Sequence, residues 1–144
     1  MNDTRFSSAI HTLILISESE TAMTSEQIAE SVGTNASYIR KLTGLLKRNG
    51  ILDSGRGISG FRLNIHSEEL SLKRVYEALY ETEHVHLFDL HQNPNDGCIV
   101  GRHIKPVLTE LFGKLEAEAD RALRAVTLAD CIETMKTRIG RENK

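Results

Sequence analysis

Two short helical patterns joined by a glycine-containing turn constrain the fold of this 144-residue chain more than any other feature. Thr24 and Gln27 form a capping box that starts the first helix, and Gly33 ends that helix. Asn35 is placed to cap the second helix, which runs to about Asn49. Two helices separated by a turn of about three residues that contains glycine are typical of a helix-turn-helix.

The residues after this pair of helices change from helical spacing to an alternating pattern. Ile51 and Leu52 begin an apolar strand, and residues 61–65 alternate apolar and polar side chains, as a half-buried strand does. A glycine-rich tip that also contains Arg56 connects the two strands. The sequence therefore predicts a β-hairpin directly after the helix-turn-helix, in the position of a wing.

Helical patterns also flank this unit. Apolar spacing predicts a largely buried first helix over residues 4–18, and Ser71 caps a predicted helix over residues 72–83. A long helix is predicted over residues 104–126, followed by a short helix and a frayed tail, residues 138–144. We therefore expect a mainly α-helical fold with a small β-hairpin wing.

The long helix carries a continuous apolar stripe. At a rise of about 1.5 Å per residue it is longer than roughly 30 Å, which is too long for so small a chain to cover by itself. A second copy of the chain is the expected cover, so we predict a homodimer. The residues predicted to form its interface are Leu108, Leu111, Phe112, Leu115, Ala119 and Leu123.

Positive charge is concentrated where the second helix and the hairpin lie. The whole chain has a net charge of −2, but residues 35–63 contain six Lys or Arg and a single Asp. A basic helix in this position fits the major groove of DNA, and its N-terminal residues would face the bases. The residues predicted to contact DNA are Thr24, Ser25, Asn35, Ser37, Tyr38, Arg40, Lys41, Lys47 and Arg56.

These basic residues have different expected roles. Arg40 is suited to forked hydrogen bonds with guanine. Lys41, Lys47 and Arg48 are better placed to contact phosphates, which position a protein but carry no sequence information. Arg56 at the hairpin tip would enter the adjacent minor groove. The alternatives are an ordinary solvated helix face and a winged-helix module that docks a protein.

Composition narrows the class of protein further. Hydrophobic residues make up 40% of the chain and charged residues 26%, which excludes a disordered chain, a fibre and a disulfide scaffold. The two cysteines, the short apolar runs and the lack of a secretory signal predict a cytoplasmic protein. We expect a DNA-binding domain, residues 1–66, followed by a sensing and dimerisation region, residues 67–144.

Residues 84–103 form a long irregular segment that contains a candidate sensor, Cys98. Arg102, His103 and a helix N-terminus would lower the pKa of its thiol and favour oxidation, whereas a small buried residue is the alternative. Metal-ligand residue types also occur here, but their spacing matches no compact motif, so we predict no metal site. These residues are His84, His86, His91, Cys98 and His103.

Motifs of catalysis are absent from the sequence. It contains no P-loop, dinucleotide-binding glycine pattern, nucleophile elbow or His-Glu-x-x-His sequence. Cys98 and His103 have no third residue to orient them as a nucleophile and a base. We therefore predict that the protein is not an enzyme.

Several of these segments occur together in one known family. Residues 38–52 and 56–63, with residues 72–79, the Asn-Pro and Cys loop and the long helix, resemble Rrf2-family transcriptional regulators. The resemblance covers nearly the whole chain and implies a homodimeric winged helix-turn-helix regulator whose subunits are joined by a crossed pair of long helices. The residues that match the family's base-contacting positions and its wing arginine are Ser37, Tyr38, Arg40 and Arg56.

The chain departs from the Rrf2 pattern in its wing and in its cysteines. Ser59 replaces the first of two consecutive glycines in the wing. Iron–sulfur members have three cysteines in the loop, whereas this chain has Cys98 there and Cys131 in the last predicted helix. One thiolate cannot hold such a cluster, so the chain is similar to the cluster-free branch and we predict no cofactor.

The expected partner is double-stranded DNA. Two recognition helices would meet successive major grooves about 34 Å apart, so we expect an inverted-repeat operator. We predict a repressor that is switched by oxidation of Cys98, with a small ligand or a partner protein as the alternative signal.

Overall fold

The structure, a computed structural model, describes residues 3–54 and 60–143. Within these ranges it contains six α-helices, a 3-10 turn and one two-stranded antiparallel sheet, which confirms the predicted mainly α-helical fold with a hairpin. In chain order the helices and strands are α1 (Arg5–Glu18), α2 (Ser25–Val32), α3 (Ala36–Arg48), β1 (Leu52–Asp53), β2 (Arg62–Leu63), α4 (Leu72–Tyr80), α5 (Ile99–Ala125) and α6 (Leu128–Glu142).

Helices α1 to α4 surround a shared hydrophobic core. Leu13 of α1, Ile28 of α2, Leu42 of α3 and Val75 of α4 are all fully buried. The buried positions recur at spacings of three or four residues, because only one face of an amphipathic helix meets the core. Burying each such side chain contributes about 1.5–3 kcal/mol to the free energy of unfolding. This core holds α2 and α3 in a defined relative orientation.

The turn between α2 and α3 has the predicted local chemistry. The Thr24 side chain accepts from the Gln27 amide at 3.2 Å and the Gln27 side chain accepts from the Thr24 amide at 2.9 Å, which confirms the capping box. Gly33 ends α2 in the left-handed conformation. The Asn35 side chain caps α3 by accepting from the Tyr38 amide at 2.8 Å. Local sequence alone therefore sets the bounds of both helices.

The two strands pair as the predicted antiparallel hairpin, with Leu52 opposite Leu63. Next to the hairpin, the Phe61 amide donates to the Met23 carbonyl at 2.9 Å and ties the wing to the linker between α1 and α2. Gly60 has a φ of 125°, and a side chain there would overlap the Met23 backbone. This close approach therefore requires glycine at position 60, the second of the two consecutive wing positions that are glycine in the Rrf2 pattern.

Helices α4 and α5 differ from their predicted bounds. α4 ends at Tyr80, three residues earlier than predicted, because Glu81 adopts a left-handed conformation that stops the helix. α5 begins at Ile99, five residues earlier than predicted, because the Cys98 carbonyl already accepts a helical hydrogen bond from the Arg102 amide at 2.9 Å. Although α5 is 27 residues long, no helix of the described chain is both long and apolar enough to span a bilayer.

The C-terminal tail was predicted to be frayed, and this prediction is wrong, since α6 continues to Glu142. The apolar side chains of Met135 and Ile139 line a groove against α1. Lys136 pairs with Glu18 of α1 at 3.3 Å. The middle of α6 therefore lies beside α1, a neighbour that the sequence pattern did not reveal.

Candidate nucleic-acid interface

The N-terminal end of α3 lies at the surface. Ser37 is exposed there, and Asn35 is exposed while its side chain caps the helix. Tyr38 is half-buried and packs against the core, so it also supports the position of α3. Two of these three predicted contacts are therefore open to solvent, and the third is shared between surface and core.

The predicted contacts at the start of α2 also take part in folding. The Thr24 hydroxyl oxygen accepts the Gln27 amide, and Ser25 is only 7% exposed. Their side chains thus serve the helix cap and the core. Their predicted contacts with DNA stay predictions.

Arg40 and Lys41 form the cationic part of the exposed end of α3. Lys41 is exposed, and the Arg40 side chain is 57% exposed. Nη2 of Arg40 donates to Oε1 of Glu26, a residue of α2, at 2.8 Å. Glu26 therefore adds a negative charge beside the predicted guanine contact, and no local pattern in the sequence indicates this pairing.

The remaining basic residues of α3 point to different neighbours. Lys47 donates to the Ser54 hydroxyl at 2.5 Å and so reaches the end of β1. Arg48 pairs with Glu81, beyond the end of α4, at 3.4 Å. Arg56 lies outside the described residues, as does Ser59, so the minor-groove contact stays a prediction.

Cys98 is exposed at the N-cap position of α5 and is not buried within the chain. The backbone amides of Gly101 and then Val100 lower the pKa of its thiol. Arg102, which was expected to contribute, instead directs its Nε to the Asp96 carbonyl at 3.0 Å. The start of α5, and not a neighbouring cation, is therefore the cause of the lowered pKa.

Helix α5 leaves large apolar side chains uncovered. None of its residues is buried, and Ile99 and Val107 are 69% and 57% exposed. Exposed apolar residues of this kind make α5 a candidate interaction surface. Of the predicted interface residues, Leu111 and Leu115 are exposed. The half-buried ones are Leu108, Phe112, Ala119 and Leu123.

The metal-ligand residue types around the loop are dispersed. His86 pairs with Asp89 at 2.7 Å, in a contact between neighbouring side chains. Across residues 3–54 and 60–143, no group of three or more His, Cys, Asp or Glu side chains is arranged to hold a metal ion. The predicted lack of a metal site stays a prediction.

In the comparison with protein families, residues 2–134 match Rrf2, which is described as an iron-dependent transcriptional regulator. The chain belongs to the Rrf2 family. Rrf2 proteins are DNA-binding transcriptional regulators and not enzymes, which confirms both expectations for this chain.

Relatives of this Rrf2 chain agree with the assignment. YwnA of Bacillus subtilis (strain 168), named as an HTH-type transcriptional regulator, is 38% identical over 130 residues, or 90% of this chain and 96% of YwnA. A crystal structure of a protein described as DNA binding is 34% identical, with a TM-score of 0.72, and the match covers 89% of this chain and 98% of that one. The oxidised form of Staphylococcus aureus CymR is 20% identical, with a TM-score of 0.69 over 92% of this chain and 97% of CymR, which shows a shared fold.

The iron of the Rrf2 description has no matching donor set in this chain. Cys98 is the one thiol of the loop, and Cys131 lies half-buried on α6. Iron–sulfur clusters are held by several thiolates, or by thiolates and histidines together. No such group is assembled in the part of the chain that the structure describes. The donor residues therefore do not fit an iron–sulfur cluster.

Sequence reasoning missed two charged residues of this Rrf2 protein, Glu26 and Lys73. Lys73 of α4 is 1% exposed, and its Nζ donates to the Glu83 carbonyl at 2.8 Å and to the Asp120 carboxylate on α5. In the sequence, Glu77 four residues later suggests an ordinary surface ion pair. No local pattern therefore indicates that the Lys73 ammonium is buried between two helices.

Proposed function

We propose that this Rrf2 protein binds an inverted-repeat operator as a homodimer and represses transcription. The observation that carries the proposal is the exposed start of α3, where Ser37, Arg40 and Lys41 project from a helix-turn-helix beside the wing strands. Because the chain as a whole is net negative, this local basic surface would direct that end of the molecule to the duplex.

The exposed residues support a division between base and phosphate contacts. Arg40 would donate two parallel hydrogen bonds to O6 and N7 of a guanine in the major groove. Lys41 and Lys47 would contact phosphates on either side, and Ser37 is short enough to serve a base edge or a phosphate. Arg56 would reach the minor groove from the wing.

The uncovered apolar stripe of α5 supports the homodimer. A two-fold axis places the same stripe on both subunits, so each apolar side chain gains an apolar partner. The same axis would present two copies of α3 to one face of the duplex, one helical turn apart, at about 34 Å. An operator for such a dimer is an inverted repeat.

Selection of bound sequences from random duplex DNA tests this proposal. We expect an inverted repeat with a preferred guanine in each half-site for the unaltered protein. Arg40→Ala should reduce the preference for that guanine by about 5- to 150-fold, which corresponds to about 1–3 kcal/mol. Lys41→Ala should instead weaken binding to all sequences alike and reduce the salt dependence. A protein that ignores DNA at low salt but holds a protein partner would support the docking-module alternative.

We also infer that oxidation of Cys98 switches the regulator. The inference is supported by the exposure of this thiol and by its lowered pKa, since the thiolate is the form that oxidants attack. A thiolate that attacks a peroxide becomes a sulfenic acid and releases hydroxide or an alkoxide. This change at the start of α5 would alter the tilt of the two long helices and so the spacing of the two α3 helices. A small ligand or partner protein is the alternative signal.

A further inference from the structure

The ion pair between Arg40 and Glu26 lies inside the proposed DNA-binding surface. Nη2 of Arg40 and Oε1 of Glu26 are 2.8 Å apart, and the two residues come from different helices of the helix-turn-helix. Both side chains are mostly exposed, at 57% for Arg40 and 67% for Glu26. Exposed ion pairs add little to the stability of a fold. We therefore expect this pair to affect the orientation of the Arg40 side chain more than the free energy of unfolding.

The Glu26 carboxylate leaves most of the Arg40 guanidinium free. A guanidinium carries five N–H donors in a planar fork, and the contact with Glu26 uses a hydrogen of Nη2. Two further donors suffice for O6 and N7 of a guanine. Glu26 and a guanine can therefore bind Arg40 at the same time, from different edges of the guanidinium.

Both partners are held by rigid elements. Glu26 lies in the first turn of α2, where the helix dipole favours a carboxylate, and the capping box fixes that turn. Arg40 lies on α3, and the buried side chains Ile28 and Ile39 lie in the core that joins the two helices. A side chain whose rotamer is fixed before binding loses less freedom when it binds.

We propose that Glu26 is a positioning residue that orients Arg40 toward guanine and so sharpens the sequence preference of the regulator. This proposal rests on the proposed function, in which Arg40 contacts a base. The Glu26 charge has a second effect, because a carboxylate at this surface repels the phosphates of any duplex and lowers non-specific binding. Removing it would free Arg40 to turn toward phosphates, which bind without regard to sequence.

The test compares sequence preferences of four purified full-length proteins in the same random-site selection. They are the unaltered protein, Arg40→Ala, Glu26→Gln and the control Glu30→Gln, which removes the same charge from an exposed position on the same helix. We expect Glu26→Gln to lower the guanine preference by up to about fivefold, the range of an exposed ion pair, at the base pair that Arg40→Ala affects. Glu30→Gln should leave that preference unchanged, and all four proteins should melt at similar temperatures.

The double variant separates positioning from a direct base contact. If Glu26 acts through Arg40, Glu26→Gln should have no further effect on preference in the Arg40→Ala background. An effect at a different base pair, or one that persists without Arg40, would overturn the proposal and favour a direct contact of Glu26 with cytosine. Equal preferences for Glu26→Gln and Glu30→Gln, with Arg40→Ala still impaired, would overturn the proposal but leave the proposed function intact. If the unaltered protein selected no preferred DNA sequence, that result would instead contradict the proposed function.

Discussion

At the scale of single residues, the pKa values of the two cysteine thiols are shifted in opposite directions. Cys98 is exposed, and backbone amides at the start of α5 lower the pKa of its thiol. Cys131 on α6 is half-buried, and burial, followed by the charge of Asp130, raises its pKa. Because the thiolate is the reactive form, thiol chemistry near neutral pH should be confined to Cys98.

We expect an alkylating reagent to modify Cys98 faster than Cys131, with the half-maximal rate for Cys98 at the lower pH. Mass spectrometry of digested protein over a series of pH values measures both rates. Peroxide should change operator affinity in the unaltered protein and in Cys131→Ser, but not in Cys98→Ser. A response that is unchanged in Cys98→Ser would end the proposal of a thiol switch and favour a bound ligand or partner.

At the scale of elements, the buried ammonium of Lys73 connects two helices with different roles. α4 packs against α1 and against α3 of the helix-turn-helix, whereas α5 carries the proposed dimer interface. The Asp120 carboxylate on α5 accepts from Lys73 and from Arg124, and these bonds lower its pKa. A buried charge is retained only when it is paired and hydrogen-bonded. This contact therefore helps to set how α5 meets the DNA-binding domain.

We expect Lys73→Ala to lower the free energy of unfolding by about 2–5 kcal/mol, the cost of truncating a long, fully buried side chain. Lys114→Ala is the control, because Lys114 lies on α5 with 75% of its side chain exposed. Its effect should stay within about 0.5 kcal/mol. Urea denaturation of both variants at neutral pH measures the two values, and similar small effects would contradict the role given to Lys73.

Acidification should reduce the difference in the free energy of unfolding between Lys73→Ala and the unaltered protein. The bond from Lys73, and then that from Arg124, lowers the pKa of Asp120 in the folded state below its ordinary value of 3.8. The stabilisation from ionised Asp120 is therefore complete above that ordinary value and is lost as the pH falls through the lower folded-state value. The difference in the free energy of unfolding that remains at low pH measures the packing of the aliphatic part of the Lys73 side chain.

At the scale of the whole molecule, α5 is the element that favours the proposed homodimer. It is 27 residues long, none of its residues is buried, and Leu111 and Leu115 are among its exposed apolar side chains. Nothing else in the described chain covers these residues. A symmetric second copy would cover them and would also double the number of DNA-contacting helices, which links dimer formation to operator affinity.

We expect the unaltered protein to have about twice the chain mass of 16.1 kDa in solution, and Leu111→Glu to have the mass of one chain. A charge at this position would have to be buried without a partner in the dimer, which is unfavourable. Lys114→Glu is the control, since it places the same charge at an exposed, already charged position of α5. Light scattering after size-exclusion chromatography measures the mass. A Leu111→Glu protein that stays dimeric would place the interface elsewhere.

Local sequence determined the helix-turn-helix and its wing. The capping box at Thr24, the Asn35 cap and the stop at Gly33 depend on residues within a few positions of each other, and all three are present in the structure. The predicted end of α4 was wrong because the left-handed conformation of Glu81 leaves no pattern in the sequence. The length of α6 was underestimated, and the sequence pattern also did not show that Lys136 of α6 pairs with Glu18 of α1.

The sequence by itself therefore determined the order of elements, the exposed basic end of α3 and the apolar stripe of α5, because periodicity and capping act over one or two helical turns. Tertiary structure alone decided which charges meet. Glu26 and Arg40 are 14 residues apart, and Lys73 and Asp120 are 47 apart. Such pairs form only where packing of the core brings separate helices together, and the free energy of that packing comes from apolar residues that carry no information about the charges.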